Sequence, residues 1–196
     1  MKTVDHGVTQ KARIASCPDS ELGPSDLVEA IRARRGGGLL NLDRMLLNSP
    51  PFARGWNQFL GAVRNNLSLD AQLRELAICA VAILTRAPYE YQQHAPEYLT
   101  AGGTDEKLQA LLEWAREEPQ NKTGIFSEQE ASVIALARAM TLQVQVDEQC
   151  FHRLQINLPD QQQQVELVGV IAAYNMVARF LEALEVQPEA EDLPHP

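Results

Sequence analysis

From Arg74 to His94 the chain reads RELAICAVAILTRAPYEYQQH, and this stretch constrains the fold more than any other. Leu73, Ala77, Ala80, Val81 and Leu84 share one side of a helix expected over about residues 69–86, opened by Ser68, while Leu76, Ile78 and Ile83 cover much of the rest. A helix that is apolar nearly all round has no solvent face, so it must be buried against more than one neighbour. The pattern therefore predicts a central helix, or one that also meets another subunit. Inside it stands a carboxylate, Glu75, which needs a cationic or hydrogen-bonding partner, because an unpaired buried charge costs several kcal/mol.

The flanking segments carry the punctuation of further helices. Ser25 is a candidate cap for a helix over about 26–35, ended by Gly36-Gly37-Gly38, and a short helix is expected over about 41–48. After Pro50-Pro51, the residues Phe52, Trp56, Phe59, Leu60 and Val63 recur at helical spacing up to Asn65. Pro88 suits the first turn of a helix over about 88–101 that stops at Gly102-Gly103, and Pro96 inside it predicts a kink just after His94. Thr104 caps a helix over about 105–117, and a loop follows from Pro119 to Phe126. The capping box Ser127-Glu-Gln-Glu130 opens a helix to about 143, Asp147 one to about 155, and Asp160 a long one to about 185. No strand pattern, repeat or dividing linker is evident. The expectation is an all-α single domain over residues 25–188, with an N-terminal arm over 1–24 and a loose acidic tail over 189–196.

Charge and cysteine usage narrow the class. A net charge of -9 argues against general nucleic-acid binding, which needs clustered Lys and Arg. The one basic cluster, Arg32, Arg34 and Arg35, reads as a solvated helix end favoured by the helix dipole. Cys17, Cys79 and Cys150 are far apart and show no CxxC or Cys/His metal spacing, which fits a reducing cytoplasm. The N-terminus lacks an apolar leader, and no unbroken apolar run reaches roughly 18 residues, so neither secretion nor a membrane span is expected.

Glu90 and His94, four residues apart, share a helix face, and Tyr91 lies beside them. A short connection near Thr85 to Pro88 turns this helix back along the previous one, so Glu75 can meet Glu90 or His94. Such a cluster supplies proton transfer: histidine titrates near neutrality, and neighbouring carboxylates push their proton affinities apart. The same residues can equally form a structural pair tying two helices together, or offer two oxygens and a nitrogen to a divalent ion. Tyr89, Tyr91, Trp56 and Tyr174 are candidates for lining a pocket, although their spacing also suits core packing. His152 reads as a surface residue, and His6 and His195 fall in the terminal segments.

The run Arg74-Glu75-Leu76, Tyr89-Glu90-Tyr91, His94 and Ala101-Gly102 resembles the core motif of the carboxymuconolactone decarboxylase and alkylhydroperoxidase D family. Upstream, Arg13-Ile14 and Leu46-Leu47-Asn48-Ser49-Pro50 are similar to a branch with an N-terminal extension. Downstream, Val165-Glu-Leu-Val168, Tyr174-Asn-Met-Val177-Ala178 and Leu184 extend the likeness over about residues 12–188. The resemblance implies an all-helical bundle that associates into trimers or multiples of them. In the peroxidase members a glutamate, a CxxC pair and a histidine form the redox centre. Here the glutamate falls on Glu75 and the histidine on His94, but the two cysteine positions fall on Ala87 and Glu90. The proton-handling residues are present and both redox sulfurs are missing.

The decarboxylase branch uses no metal or organic cofactor and releases carbon dioxide from a small carboxylated lactone of aromatic-ring degradation. On that implication Glu75 and His94 manage the proton, Glu90 modulates them, and Tyr91, Arg74 or Arg86 places the substrate. The alternatives are an alkylhydroperoxidase-like antioxidant enzyme, for which Cys79 would have to replace the missing pair, and a non-catalytic helical oligomer binding a small ligand. A carboxylate beside Cys79 disfavours its thiolate.

Overall fold

The computed structural model describes residues 12–116 and 124–189. Residues 1–11 and 190–196, part of the expected arm and most of the expected tail and including His6 and His195, lie outside the described residues, as do residues 117–123, which hold most of the expected loop. Among the described residues every regular element is helical: a 3-10 turn at Asp19–Glu21, then α1 (Ser25–Arg35), α2 (Asn41–Leu46), α3 (Pro50–Asn65), α4 (Ala71–Thr85), α5 (Pro88–Thr100), α6 (Asp105–Arg116), α7 (Glu128–Leu142), α8 (Glu148–Asn157) and α9 (Gln161–Leu184). The chain divides into two compact units, one formed by residues up to Gln58 together with those from Leu181 onward, the other by Phe59–Phe180.

In the first unit, α1 ends at Gly36, whose φ of 79° is the left-handed conformation that glycine adopts without a Cβ penalty. Of the basic cluster at this helix end Arg32 is solvated, as read from the sequence, but Arg34 and Arg35 are not, which corrects the reading for those two. Arg34 and Arg35 side chains are only 11% and 12% exposed, and both pair with Asp43, itself 1% exposed. Arg35 donates from Nε and Nη2 at 3.1 Å each, and the Leu40 amide adds a third bond at 3.0 Å. A buried carboxylate on α2 thus draws the guanidinium groups inward, a tertiary demand stronger than the dipole at an exposed end. Arg13 joins residues near the chain's two ends, donating from its amide to the Leu184 carbonyl and from its side chain to Glu185.

The second unit is built around α4, as its apolar circumference requires. Leu76, Ala77, Ile78, Cys79, Ala80 and Val81 are fully buried, and the helix packs against α5, α6 and α7. Each large apolar side chain so buried contributes roughly 1.5–3 kcal/mol. The cap differs from expectation: Asp70, not Ser68, accepts from the Leu73 amide at 3.1 Å. Ser68 is engaged elsewhere, since its hydroxyl and the Leu69 amide both donate to Glu166 on α9, at 2.9 and 2.8 Å.

Arg86 takes a left-handed conformation (φ 58°) to close α4, and the connection reaches Pro88 at the start of α5 after Ala87. So short a link folds α5 back along α4. Pro96 lies within α5 without ending it. At the far end, a Cβ on Gly103 would lie 2.2 Å from the ring of fully buried Tyr98, so only glycine admits this close approach. Glu130, from the capping box of α7, accepts from Lys107 on α6 at 2.6 Å and from Gln72 on α4 at 3.1 Å, tying three helices at one point. By length and mean hydropathy α9 alone among the described helices could cross a membrane, but half of its apolar window is buried inside the protein.

Candidate active site

Glu75 projects from the second turn of α4 and is 1% exposed, and the return of α5 brings His94 against it. The Glu75 Oε2 to His94 Nδ1 distance is 2.7 Å, short enough for a charge-assisted hydrogen bond. The other carboxylate oxygen accepts from Arg74 Nε at 3.1 Å. Tyr174, from α9, meets the imidazole edge-on, with ring centroids 4.8 Å apart and an interplanar angle of 86°. The dyad therefore has its orientation set from three helices.

Electrostatics fix the protonation states. Burial pushes the Glu75 carboxyl up, but the His94 hydrogen bond and the Arg64 and Arg74 charges outweigh it and hold the group below its ordinary range. Burial pushes His94 down, and the neighbouring Arg64 charge acts the same way, against the raising influence of Glu75 and Glu97. At neutral pH the pair is a carboxylate beside a neutral imidazole. A carboxylate can only accept, so Nδ1 carries the proton and donates it to Glu75. Nε2 then carries the lone pair. Among the described residues the ring makes no hydrogen bond except the one at Nδ1, so Nε2 keeps its lone pair free of a hydrogen-bond donor.

This arrangement fixes how stability depends on pH. Unfolding restores His94 to its ordinary value of 6.5, so below that pH the unfolded chain binds the extra proton and stability falls. Glu75, held below its ordinary 4.5, adds a second loss as pH falls further. Melting temperature is expected to drop between about pH 6.5 and 4.5 and more steeply below, and His94→Gln should remove the first leg. A wild-type melting temperature that stays level across the first interval would contradict a buried neutral imidazole.

The remaining sequence candidates are placed as follows. Glu90 is 1% exposed and lies one turn before His94 on α5. Tyr91 is half-buried, and burial, with the Cys79 and Asp105 charges, pushes its hydroxyl up. Of the four aromatic pocket candidates, Tyr174 is the one that meets His94 edge-on. Arg74 is bound to Glu75, whereas Arg86 is exposed in the turn after α4. Cys79 is fully buried, and burial, with the Glu75 and Glu90 charges, drives its thiol far above the usual range. Such a thiol is inert as a nucleophile. Among the described residues no set of three or more His, Cys, Asp or Glu side chains is arranged to hold a metal ion.

One contributor was not anticipated. Arg64, on the last turns of α3, keeps a side chain 25% exposed and lies 3.8 Å from Glu97, three residues beyond His94 on the same helix face. The charges of Tyr174, Glu75 and Glu97 favour its protonated form against the cost of burial. The one sequence signal for it was the requirement that Glu75 have a cationic neighbour.

Residues 50–118 match the sequence profile of the Carboxymuconolactone decarboxylase family. The matched segment holds Arg64, Glu75, Glu90, Tyr91 and His94, whereas Tyr174 reaches the dyad from outside it. Solved structures share the fold over nearly the whole chain. An uncharacterized peroxidase-related protein from Ralstonia eutropha JMP134, described as an alkylhydroperoxidase AhpD core, superposes with a TM-score of 0.77 at 14% identity, covering 92% of this chain and 93% of its own. A peroxidase-related protein from Silicibacter sp. TM1040 gives 0.74 at 14% identity, with 93% and 96% covered. The debrominase Bmp8 gives 0.66 at 18% identity, with 86% and 90% covered. At these identities the likeness is one of fold. No curated protein sequence matches the chain.

Proposed function

We propose that this protein is a cofactor-independent acid–base enzyme of the carboxymuconolactone decarboxylase type, acting on a small carboxylated lactone or a related carbonyl compound. The observation that carries the reading is the buried 2.7 Å contact between Glu75 and His94 Nδ1, which leaves Nε2 as the reactive atom. Before substrate binds the ring is neutral. An entering anionic substrate and the Glu75 carboxylate both favour the imidazolium, so the ring takes a proton from solvent as the substrate binds. The bond from ring carbon to carboxylate then breaks, and its electron pair passes through the conjugated double bond to the lactone carbonyl as an enolate. Nε2–H returns a proton to carbon. One proton enters and one carbon dioxide leaves, with no change in oxidation state of the protein.

Sulfur-based peroxide reduction is disfavoured by the residues present. Ala87 and Glu90 stand where the family's peroxidases carry cysteines, and the Cys79 thiol is buried and held protonated. The test is carbon dioxide release from carboxymuconolactone, before and after alkylation of accessible thiols, with hydroperoxide consumption measured in parallel. Release that survives alkylation, with no peroxide consumed, is the expected result. Peroxide turnover abolished by alkylation would overturn the proposal, and absence of release would remove this lactone as substrate.

A further inference from the structure

We infer that Arg64 is the anchor for a substrate carboxylate, holding a small organic anion against Nε2 of His94. The inference rests on the acid–base reading above and adds the residue that binds the ligand's carboxylate. Its basis is an unusual guanidinium. Arg64 is three-quarters buried, yet among the described residues it donates no hydrogen bond, and its one ion pair is the 3.8 Å approach to Glu97, whose own side chain is 52% exposed. A guanidinium has five N–H donors arranged as a planar fork that matches a carboxylate bidentately. Arg74, by contrast, already spends Nε on Glu75, and Arg86 is exposed in the turn after α4.

Position supports the assignment. Glu97 and His94 are three residues apart on α5, so a group beside Glu97 lies next to the imidazole. Tyr174, which meets His94 edge-on, is also an electrostatic neighbour of Arg64. The groups facing His94 are Glu75 from α4, Arg64 from α3, Glu97 from its own helix and Tyr174 from α9. Arg64 is the one that disfavours the imidazolium from across the site. A carboxylate bound to it cancels that influence, so binding and proton uptake at His94 are linked.

The probe is succinate, which carries carboxylates but cannot decarboxylate by this route, with its neutral dimethyl ester as control. Calorimetric titration of the full chain in two buffers of different ionisation heat reports affinity and proton uptake together. Wild type is expected to bind succinate with proton uptake and to ignore the ester. Arg64→Gln should weaken binding about 10- to 100-fold, the usual worth of a charge-assisted pair, and abolish the uptake. Arg64→Lys keeps the charge without the fork and should fall between them, and it serves if the glutamine variant does not fold. With an active lactone substrate, the same variants should raise KM far more than they lower kcat. Undiminished succinate affinity in a folded Arg64→Gln, or no wild-type binding at about 50 mM succinate against the mM scale of a weak site, overturns the anchor. Failure of lactone turnover beside intact Arg64-dependent binding removes the lactone and leaves the anchor standing.

Discussion

Replacing Glu75 with leucine should cost about 3–5 kcal/mol of folding stability, the usual consequence of removing one partner from a buried ion cluster. The wild-type carboxylate is 1% exposed and serves three groups: it accepts from His94 at 2.7 Å and from Arg74 at 3.1 Å, and its charge offsets that of Arg64. Leucine leaves the imidazole N–H and the Arg74 Nε–H without an acceptor, takes the counter-charge from Arg74, and leaves Arg64 with Glu97 alone. Glu75→Gln keeps an acceptor oxygen but not the charge, so its loss should be smaller, about 1–3 kcal/mol. Urea denaturation followed by circular dichroism measures both, with an unchanged slope showing that the difference lies in stability. Combining Glu75→Leu with His94→Leu should recover part of the loss, because the orphaned N–H goes with its ring. A leucine variant as stable as wild type would mean that the cluster adds nothing to the fold.

What could be read from the sequence follows from how local the information is. The burial of α4 is written in its own residues, because no face of Leu73 to Leu84 is polar enough for water. The pairing of Glu75 with His94 was nearly as legible: a short turn with Pro88 joins two helices, and helical spacing does the rest. Which of Glu90 and His94 would meet Glu75 was open, and the rotation of α5 settles it in favour of the histidine. Arg64 and Tyr174 approach on α3 and α9, from before and long after the hairpin, and no local rule links them to it. The same holds for Arg34 and Arg35, whose destination at Asp43 depends on where α2 packs. The cap moved from Ser68 to Asp70 because Glu166, almost a hundred residues on, bonds the serine.

His94→Asn should separate chemistry from structure. The asparagine amide can take the place of Nδ1–H and donate to Glu75, so the buried carboxylate keeps a partner and the melting temperature should change little. Nothing in asparagine replaces Nε2. If Nε2–H delivers the proton to carbon, turnover of an active lactone should fall about 10²- to 10⁴-fold, the range for losing a general acid–base group. The pH dependence gives a sharper criterion. The protonated ring is the form that delivers the proton, so wild-type kcat should fall as pH rises through the His94 range of the bound complex. In His94→Asn that limb should be absent and the residual rate level. A folded asparagine variant that keeps both the rate and the limb would place the proton donor elsewhere and reduce the Glu75 to His94 contact to a structural tie between α4 and α5. Since Arg64 is expected to act on KM and His94 on kcat, the two variants together show whether binding and proton transfer are divided between α3 and α5.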